Sequence, residues 1–310
     1  MGKLRLALIA GGKSSEREVS LKSGAQVYQA LDKDRYDIRR YDPLTDLERL
    51  VRDARDLDAA LIIMHGRGGE DGSMQGLLDL LEIPYQGSGV LASALAMNKE
   101  LSKAVYQLTG LQVPAALAFH RDKAPSPQEI EAKLGLPVVI KPVNEGSSIG
   151  ISKAPTLKTL ETGLAAAFAL DNRVLVEEFI PGTEVTGGVL GNATLQALPL
   201  VEIIPTDKYD FFDYEAKYKP GASHEICPAR LSPEMTKRAQ ECALIAHQAL
   251  GCRGYSRTDM MIRDQNIYVL ETNTIPGMTA TSLFPQGAKA AGIEFPDLLD
   301  TLITLAREKE

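Results

Sequence analysis

Four polar residues near the C-terminal end of the chain have types and spacing suited to phosphate chemistry: Arg257 and Asp259, then Glu271 and Asn273. The segment 254–277 around them reads as two strands joined by the polar turn Asp264-Gln265-Asn266. Alternation at period two puts Arg257 and Asp259 on one face of the first strand, and Glu271 and Asn273 on one face of the second. Paired as a hairpin, the strands bring all four to one side of a sheet. Carboxylate and amide oxygens are hard ligands that suit Mg²⁺ better than zinc. The neighbouring Arg257 suits a phosphate or a developing oxyanion.

A second constellation lies upstream. Lys141 ends the apolar run Val138-Val139-Ile140 and precedes Asn144-Glu145-Gly146-Ser147-Ser148. A lysine at a strand end before a Gly-Ser-Ser turn can clamp phosphates with backbone N–H groups, hydroxyls and a point charge. It is not a Walker A loop, since no G-x-x-x-x-G-K-[ST] occurs. Glu177, Glu178 and Glu184 follow another apolar strand and could hydrogen-bond the base and ribose of a nucleotide. Residues 205–221 are rich in aromatics and charge but lack periodicity. They read as a lid around residues 207–222 that brings Lys217 and Tyr218 inward.

These residues need elements to hold them. The first third alternates strands and helices: a strand over residues 4–10, the turn Gly11-Gly12-Lys13-Ser14-Ser15, a helix over 18–31, then a strand over 59–64 ending at His65. The turn over residues 66–72 leads into a helix with Met74, Leu77, Leu78 and Leu81 at helical spacing. Such repetition predicts a parallel sheet with ligand groups at the carboxyl ends of its strands, where Glu16 and His65 can face one crevice. From residue 99 the pattern changes to an amphipathic helix over 99–107 and short strands over 113–119 and 137–141. Residues 232–251 and 285–308 read as helices flanking a sheet. The expected division is 1–96, 97–184 and 185–310.

Composition narrows the functions. Of 310 residues, 44% are hydrophobic and 24% charged, as in ordinary globular proteins. The net charge of -7 argues against a nucleic-acid partner. No run of about 18 apolar residues predicts a membrane span. Three cysteines, Cys227, Cys242 and Cys252, form no C-x-x-C pair, which suits reduced thiols in a cytoplasmic protein.

Taken in order, the motifs resemble the D-alanine–D-alanine ligase family of the ATP-grasp superfamily, over nearly the whole chain. They are Gly-Gly-Lys-Ser-Ser-Glu-Arg-Glu-Val-Ser at 11–20, His-Gly-Arg-Gly-Gly-Glu-Asp-Gly at 65–72, Tyr-Gln-Gly-Ser-Gly at 85–89 and Met-Asn-Lys at 97–99. Lys-Pro-Val-Asn-Glu-Gly-Ser-Ser-Ile-Gly at 141–150, Tyr-Glu-Ala-Lys-Tyr at 214–218 and Glu-Thr-Asn-Thr-Ile-Pro-Gly-Met-Thr at 271–279 complete the set.

The resemblance implies an α/β, three-lobed ATP-grasp fold with an N-terminal Rossmann-like parallel-sheet lobe. It implies ATP-dependent joining of two D-alanines through a D-alanyl phosphate, for peptidoglycan precursor synthesis. Lys99 and Lys141 would hold ATP phosphates. Glu177 would meet the adenine amino group and Glu184 the ribose hydroxyls, with Glu178 and Ile180 in the same ATP-binding stretch. Lys217 would reach the transferring phosphate. Asp259, Glu271 and Asn273 would hold two Mg²⁺ ions, with Mn²⁺ able to substitute. Arg257 and the Gly277 N–H would stabilise an oxyanion, Glu16 with His65 would receive the first D-Ala ammonium, and Ser282 at a helix start would bind the second D-Ala carboxylate. Ser147 and Tyr218 would form a hydrogen-bonded set with Glu16, the pattern of a dipeptide rather than a depsipeptide ligase. A cytoplasmic homodimer is also implied.

One departure is visible: many relatives carry Lys where this chain has Glu178, so nucleotide affinity could differ. A ligase making D-alanyl–D-lactate is the nearest rival, and Tyr218 argues against it. A dinucleotide-dependent oxidoreductase is a rival from another class. It would need G-x-G-x-x-G after the first strand, and Ala10-Gly-Gly-Lys-Ser-Ser lacks it. A non-catalytic nucleotide-binding protein would be expected to have lost a metal ligand, and none is missing.

Overall fold

In the computed structural model, residues 2–146, 149–206 and 223–308 are described. Strands β1 (Leu4–Ile9), β2 (Tyr36–Tyr41) and β3 (Ala59–Ile62) form a parallel sheet in the order β2-β1-β3. Strands buried on both faces read as continuous apolar runs, which is how β3 and residues 6–9 of β1 read. Leu6, Leu8, Leu61 and Ile63 pack towards the helix Phe295–Ala306, against Leu298, Leu299, Leu302 and Ile303. The alternate residues Ala7, Ile9, Ala60 and Ile62 pack on the opposite face with Leu50, Met74 and Leu78. The parallel sheet expected from the first third is therefore present. The terminal region expected as helical from 285 to 308 is two helices, Leu283–Ala290 and Phe295–Ala306, because Gly292 at φ 85° breaks the run.

The middle of the chain builds a four-stranded antiparallel sheet from β4 (Ala116–His120), β5 (Val138–Pro142), β6 (Ser152–Ala154) and β7 (Arg173–Glu178), in the order β4-β7-β5-β6. Alternation decides its two faces. Val138, Ile140, Val174 and Val176 pack with Ile130, Leu160 and Leu164 of the helices Pro127–Leu134 and Leu157–Leu170. Val139, Lys141 and Glu177 line a pocket on the other side. Both helices begin at hydroxyl N-caps: Ser126 accepts from Glu129 N–H and Thr156 from Thr159 N–H, each in a reciprocal capping box.

The remaining strands are β8 (Thr183–Gly191), β9 (Gln196–Ala197), β10 (Val201–Pro205), β11 (Ser223–Ile226), β12 (Gly254–Arg263) and β13 (Asn266–Asn273). They form an antiparallel sheet in the order β11-β10-β8-β12-β13, with β9 on β8. The helix Pro233–Ala249 covers one face, packing Met235, Ala239, Ala243 and Ala246 on Val185, Val189, Met260 and Val269. The expected hairpin is β12–β13. Its turn is two residues, Asp264-Gln265, with Asp264 at φ 56° and Asn266 already in the strand.

His247 lies inside this last layer. Its Nδ1 is 2.7 Å from Ser256 Oγ, and its buried Nε2 has no hydrogen-bond partner among the described residues. Burial pushes the imidazole down from 6.5 to about 4, against a smaller opposing effect of the Cys252 backbone. In the unfolded chain it takes up a proton at higher pH than in the folded one. Its contribution to stability is therefore full above about pH 6.5 and lost as pH falls through about 4. That is at most about 3 kcal/mol over the window. Urea unfolding of wild type and His247→Gln across this range should show the difference between them shrinking in acid. Parallel pH dependence in the two proteins would refute it.

Candidate active site

The pocket between the two antiparallel sheets has a volume of about 260 Å³. Lys141, Glu177 and Ile180 line it from one side, and Glu184, Ile203, Asp259, Met261 and Glu271 from the other. Apolar walls come from Val139, Phe179, Met261 and Leu270. A mostly apolar slot with a few convergent charges is what a nucleotide base and its phosphates require. Glu178 also lines it, and its carboxylate accepts the Ala115 N–H at 3.0 Å.

Glu177 is fully buried between two ammonium groups. Its Oε1 lies 2.6 Å from Lys103 Nζ and its Oε2 2.6 Å from Lys141 Nζ. Burial would raise the Glu177 carboxyl, but the two lysines hold it below the usual range. Burial likewise opposes charge on Lys141, yet Glu177, Glu271 and Glu184 keep that ammonium above its ordinary value. Lys103, with Lys141 close by, is pushed down by burial in spite of Glu177.

A break in the strand pairing positions the acidic wall. Asp259 pairs with Glu271, but Met260 pairs with Val269, so the register skips Leu270. Counted at period two from buried Ile267 and Val269, Glu271 would fall on the core face. The extra residue turns Leu270 and Glu271 both into the pocket, as bulges near active sites do. Asp259 is held from three sides. Arg257 donates to both its oxygens at 2.9 and 2.8 Å, Thr186 Oγ1 donates at 2.6 Å, and Asn273 Nδ2 at 3.3 Å.

Glu271 also borders a smaller cleft lined by Glu70, Lys99, Glu145, Gly146 and Asn273. Lys99 Nζ donates to the Glu145 carbonyl. Beyond it lie Glu16 and His65, both buried. Ser14 ties their loops together by donating to the His65 carbonyl at 2.7 Å and accepting the Glu16 N–H at 3.3 Å. His65 Nδ1 is 3.6 Å from Glu70 Oε1. Burial would lower the imidazole, but Glu70 and Glu16 hold it above its ordinary value against the Arg257 charge. Glycines make room here. A Cβ on Gly146 would stand 3.1 Å from Glu16 Oε2, and one on Gly66 only 2.6 Å from it.

Gly66 sits at φ 70°, where a side chain is strained by about 1–2 kcal/mol. Gly66→Ala should displace the Glu16 carboxylate and raise KM for an amino-acid substrate about tenfold, leaving ADP affinity unchanged. Initial-rate kinetics with calorimetry for ADP will check this, and an unchanged KM would exclude Glu16 from the amino-acid site.

The loop after β13 returns towards the helix Leu283–Ala290. Ser282 caps it with extended backbone, and its Oγ accepts the Thr279 N–H at 3.1 Å. A Cβ on Gly277 would come within 3.0 Å of that Oγ, so Gly277 and Ser282 are neighbours. Ser147, Lys217 and Tyr218, with the lid loop, lie outside the described residues. Lys103, Glu70 and Thr186 are site residues that the sequence reading did not single out. Glu70 stands inside the glycine-rich turn after His65, so a signal existed for it; a lysine one helical turn beyond Lys99 carries none by itself.

A parallel-sheet lobe followed by two antiparallel sheets gripping a Lys- and Glu-lined pocket is the architecture of ATP-grasp enzymes. A family model described as D-ala D-ala ligase C-terminus matches residues 105–304, and one described as D-ala D-ala ligase N-terminus matches 5–46 and 44–88. A curated D-alanine–D-alanine ligase from Syntrophobacter fumaroxidans is 60% identical, with 99% of this chain and 98% of that protein covered. The crystal structure of D-alanine–D-alanine ligase from Bacillus anthracis complexed with ATP aligns with a TM-score of 0.86 at 34% identity, covering 98% and 97% of the two chains. The VanG D-Ala:D-Ser ligase from Enterococcus faecalis aligns equally well, at TM-score 0.86 and 34% identity over 98% and 100%. The chain belongs to the D-alanine–D-alanine ligase family.

Proposed function

We propose that this protein uses ATP to join two D-alanines into D-alanyl-D-alanine for peptidoglycan precursor synthesis. The observation that carries this reading is the continuity at Glu271: one carboxylate borders both the nucleotide-shaped pocket and the cleft leading to Glu70, Glu16 and His65. A phosphoryl group held at the end of the first can meet a carboxylate held in the second. The reading divides the chain into lobes near residues 96 and 184, with ATP between the second and third.

In this mechanism Lys99 and Lys141 hold phosphates, and Glu177, Glu178, Ile180 and Glu184 surround adenosine. Glu16 takes the ammonium of the first D-Ala, with His65 beside it. That substrate's carboxylate oxygen attacks the γ-phosphorus; the bond to the β-γ bridging oxygen breaks, giving D-alanyl phosphate and ADP. The neutral amine of the second D-Ala, its carboxylate at Ser282, then attacks the acyl carbon. Arg257 and the Gly277 N–H face the oxyanion that forms; its collapse breaks the acyl carbon–phosphate oxygen bond, and the departing phosphate carries off the proton the amine loses.

Asp259 and Glu271 oppose each other across the hairpin with Asn273 beside them, an oxygen-rich set. Among the described residues no three His, Cys, Asp or Glu cluster as a complete metal cage. Two carboxylates and an amide suit Mg²⁺, which is usually held by one or two carboxylates together with substrate phosphates and water. Bound there, Mg²⁺ would neutralise charge on the transferring phosphoryl group. Among the described residues no helix is long and apolar enough to cross a membrane. The family likeness supports a cytoplasmic homodimer.

The test is ATP-dependent ADP release with product analysis, using D-Ala first and offering D-Ala, D-Ser or D-lactate as second substrate. The expected product is D-Ala-D-Ala. Release of ADP without any ligated product, or preferred incorporation of D-Ser or D-lactate, would overturn the assignment.

A further inference from the structure

Lys103 has no part in the chemistry above, yet it is buried at the centre of the site. It sits on the helix Lys99–Leu108, with its Nζ 2.6 Å from Glu177 Oε1 and 3.1 Å from the Leu270 carbonyl, to which it donates. Glu177 is on β7 of one sheet and Leu270 on β13 of the other. One ammonium therefore ties both walls of the pocket together from behind. Lys141 and Glu177 line the pocket and Lys103 does not, so Lys103 stands behind the nucleotide space rather than in it.

Lys141 has two claims on it. Its Nζ is 2.6 Å from Glu177 Oε2, and a phosphate in the pocket would draw it away. A buried carboxylate stripped of its cation is strongly unfavourable. Were Lys141 the sole partner of Glu177, each phosphate contact it made would come at the expense of that carboxylate. Lys103 occupies the other oxygen and is anchored by a backbone carbonyl, so it remains when Lys141 moves.

We infer that Lys103 is a positioning residue that compensates the charge of Glu177 and holds it in place, thereby releasing Lys141 to the phosphates of the nucleotide. The inference rests on the reading of this pocket as the ATP site. Its signature is selective: losing Lys103 should weaken binding of phosphates through Lys141 and spare the nucleoside.

The experiment measures binding of ADP and of adenosine to the full-length protein in excess Mg²⁺, by calorimetry and competition. Wild type, Lys103→Met, Lys141→Met and the double variant Lys103→Met/Glu177→Gln are compared. The readout is the preference for ADP over adenosine. Lys141→Met should lose most of that preference, and Lys103→Met should lose about tenfold or more of it while adenosine affinity changes little. The double variant should regain it, since without the carboxylate no second cation is needed. If Lys141→Met keeps its preference, the nucleotide reading of the pocket fails. If Lys141→Met loses it but Lys103→Met does not, the Lys103 inference alone fails. Equal loss of ADP and adenosine in Lys103→Met means a structural role and also overturns it, as does a double variant that regains nothing. Should Lys103→Met not fold, the double variant decides: it must prefer ADP as wild type does.

Discussion

Glu271→Gln is expected to abolish D-Ala-dependent ADP release, with a loss of at least about 10³ in rate, roughly 4 kcal/mol, while the fold stays intact. Glutamine has nearly the same shape, so it can occupy the same half-buried position next to the bulge. What it lacks is charge. Glu271 faces Asp259 across the hairpin and borders both the pocket proposed for the nucleotide and the cleft proposed for the amino acid. Its negative charge also helps keep Lys141 ionised. A neutral amide there would hold Mg²⁺ poorly, and that ion is what would neutralise charge on the moving phosphoryl group. A second readout separates this from simple misfolding: the enhancement of ADP affinity by Mg²⁺ should fall in the variant while adenosine affinity persists. A protein retaining a tenth of wild-type turnover would sink the role.

Arg257→Gln should lower kcat by about 10²–10³, the loss typical of removing one donor to a developing oxyanion. ATP affinity should hardly change, because Arg257 does not line the nucleotide pocket. Asp259 keeps Thr186 and Asn273 as partners when the guanidinium is gone, so the strand pairing should survive. Arg257→Lys should recover little. The two parallel donations at 2.9 and 2.8 Å use the planar fork of a guanidinium, and one ammonium cannot reproduce it while also reaching substrate. Steady-state kinetics with ATP and D-Ala varied separately will decide. A fall in ATP affinity with unchanged kcat would move Arg257 out of the acyl-transfer step.

Much of this site was readable because strands report their faces. Lys141 and Glu177 alternate with valines and isoleucines whose burial is dictated by period two, and the pocket face follows. The ordered motifs carried the family and the ATP-grasp fold. Three features were not readable. The skipped residue Leu270 changes which side of β13 faces the pocket, and a bulge leaves no periodic trace that a residue count detects. Lys103 is hidden for a different reason. A lysine on an amphipathic helix ordinarily points to water, and only the packing of two distant sheets around the helix Lys99–Leu108 turns this one inward. The pairing of the Phe295–Ala306 helix with the first sheet was equally invisible, since apolar stripes do not name their partners.

That last pairing bears on how the chain is made. Leu298, Leu299, Leu302 and Ile303 complete the core around Leu6, Leu8, Leu61 and Ile63, and Asp300 accepts from Tyr36 at 2.7 Å across 264 residues of sequence. A ribosome delivers β1 long before its covering helix. Throughout synthesis, one apolar face of the nascent N-terminal sheet waits without its native cover, a condition that favours aggregation or chaperone capture. The two antiparallel sheets draw on nearer neighbours and can close earlier. Folding should thus finish at the parallel-sheet lobe, although its strands are made before the two antiparallel sheets, with its rate limited by a very long loop closure.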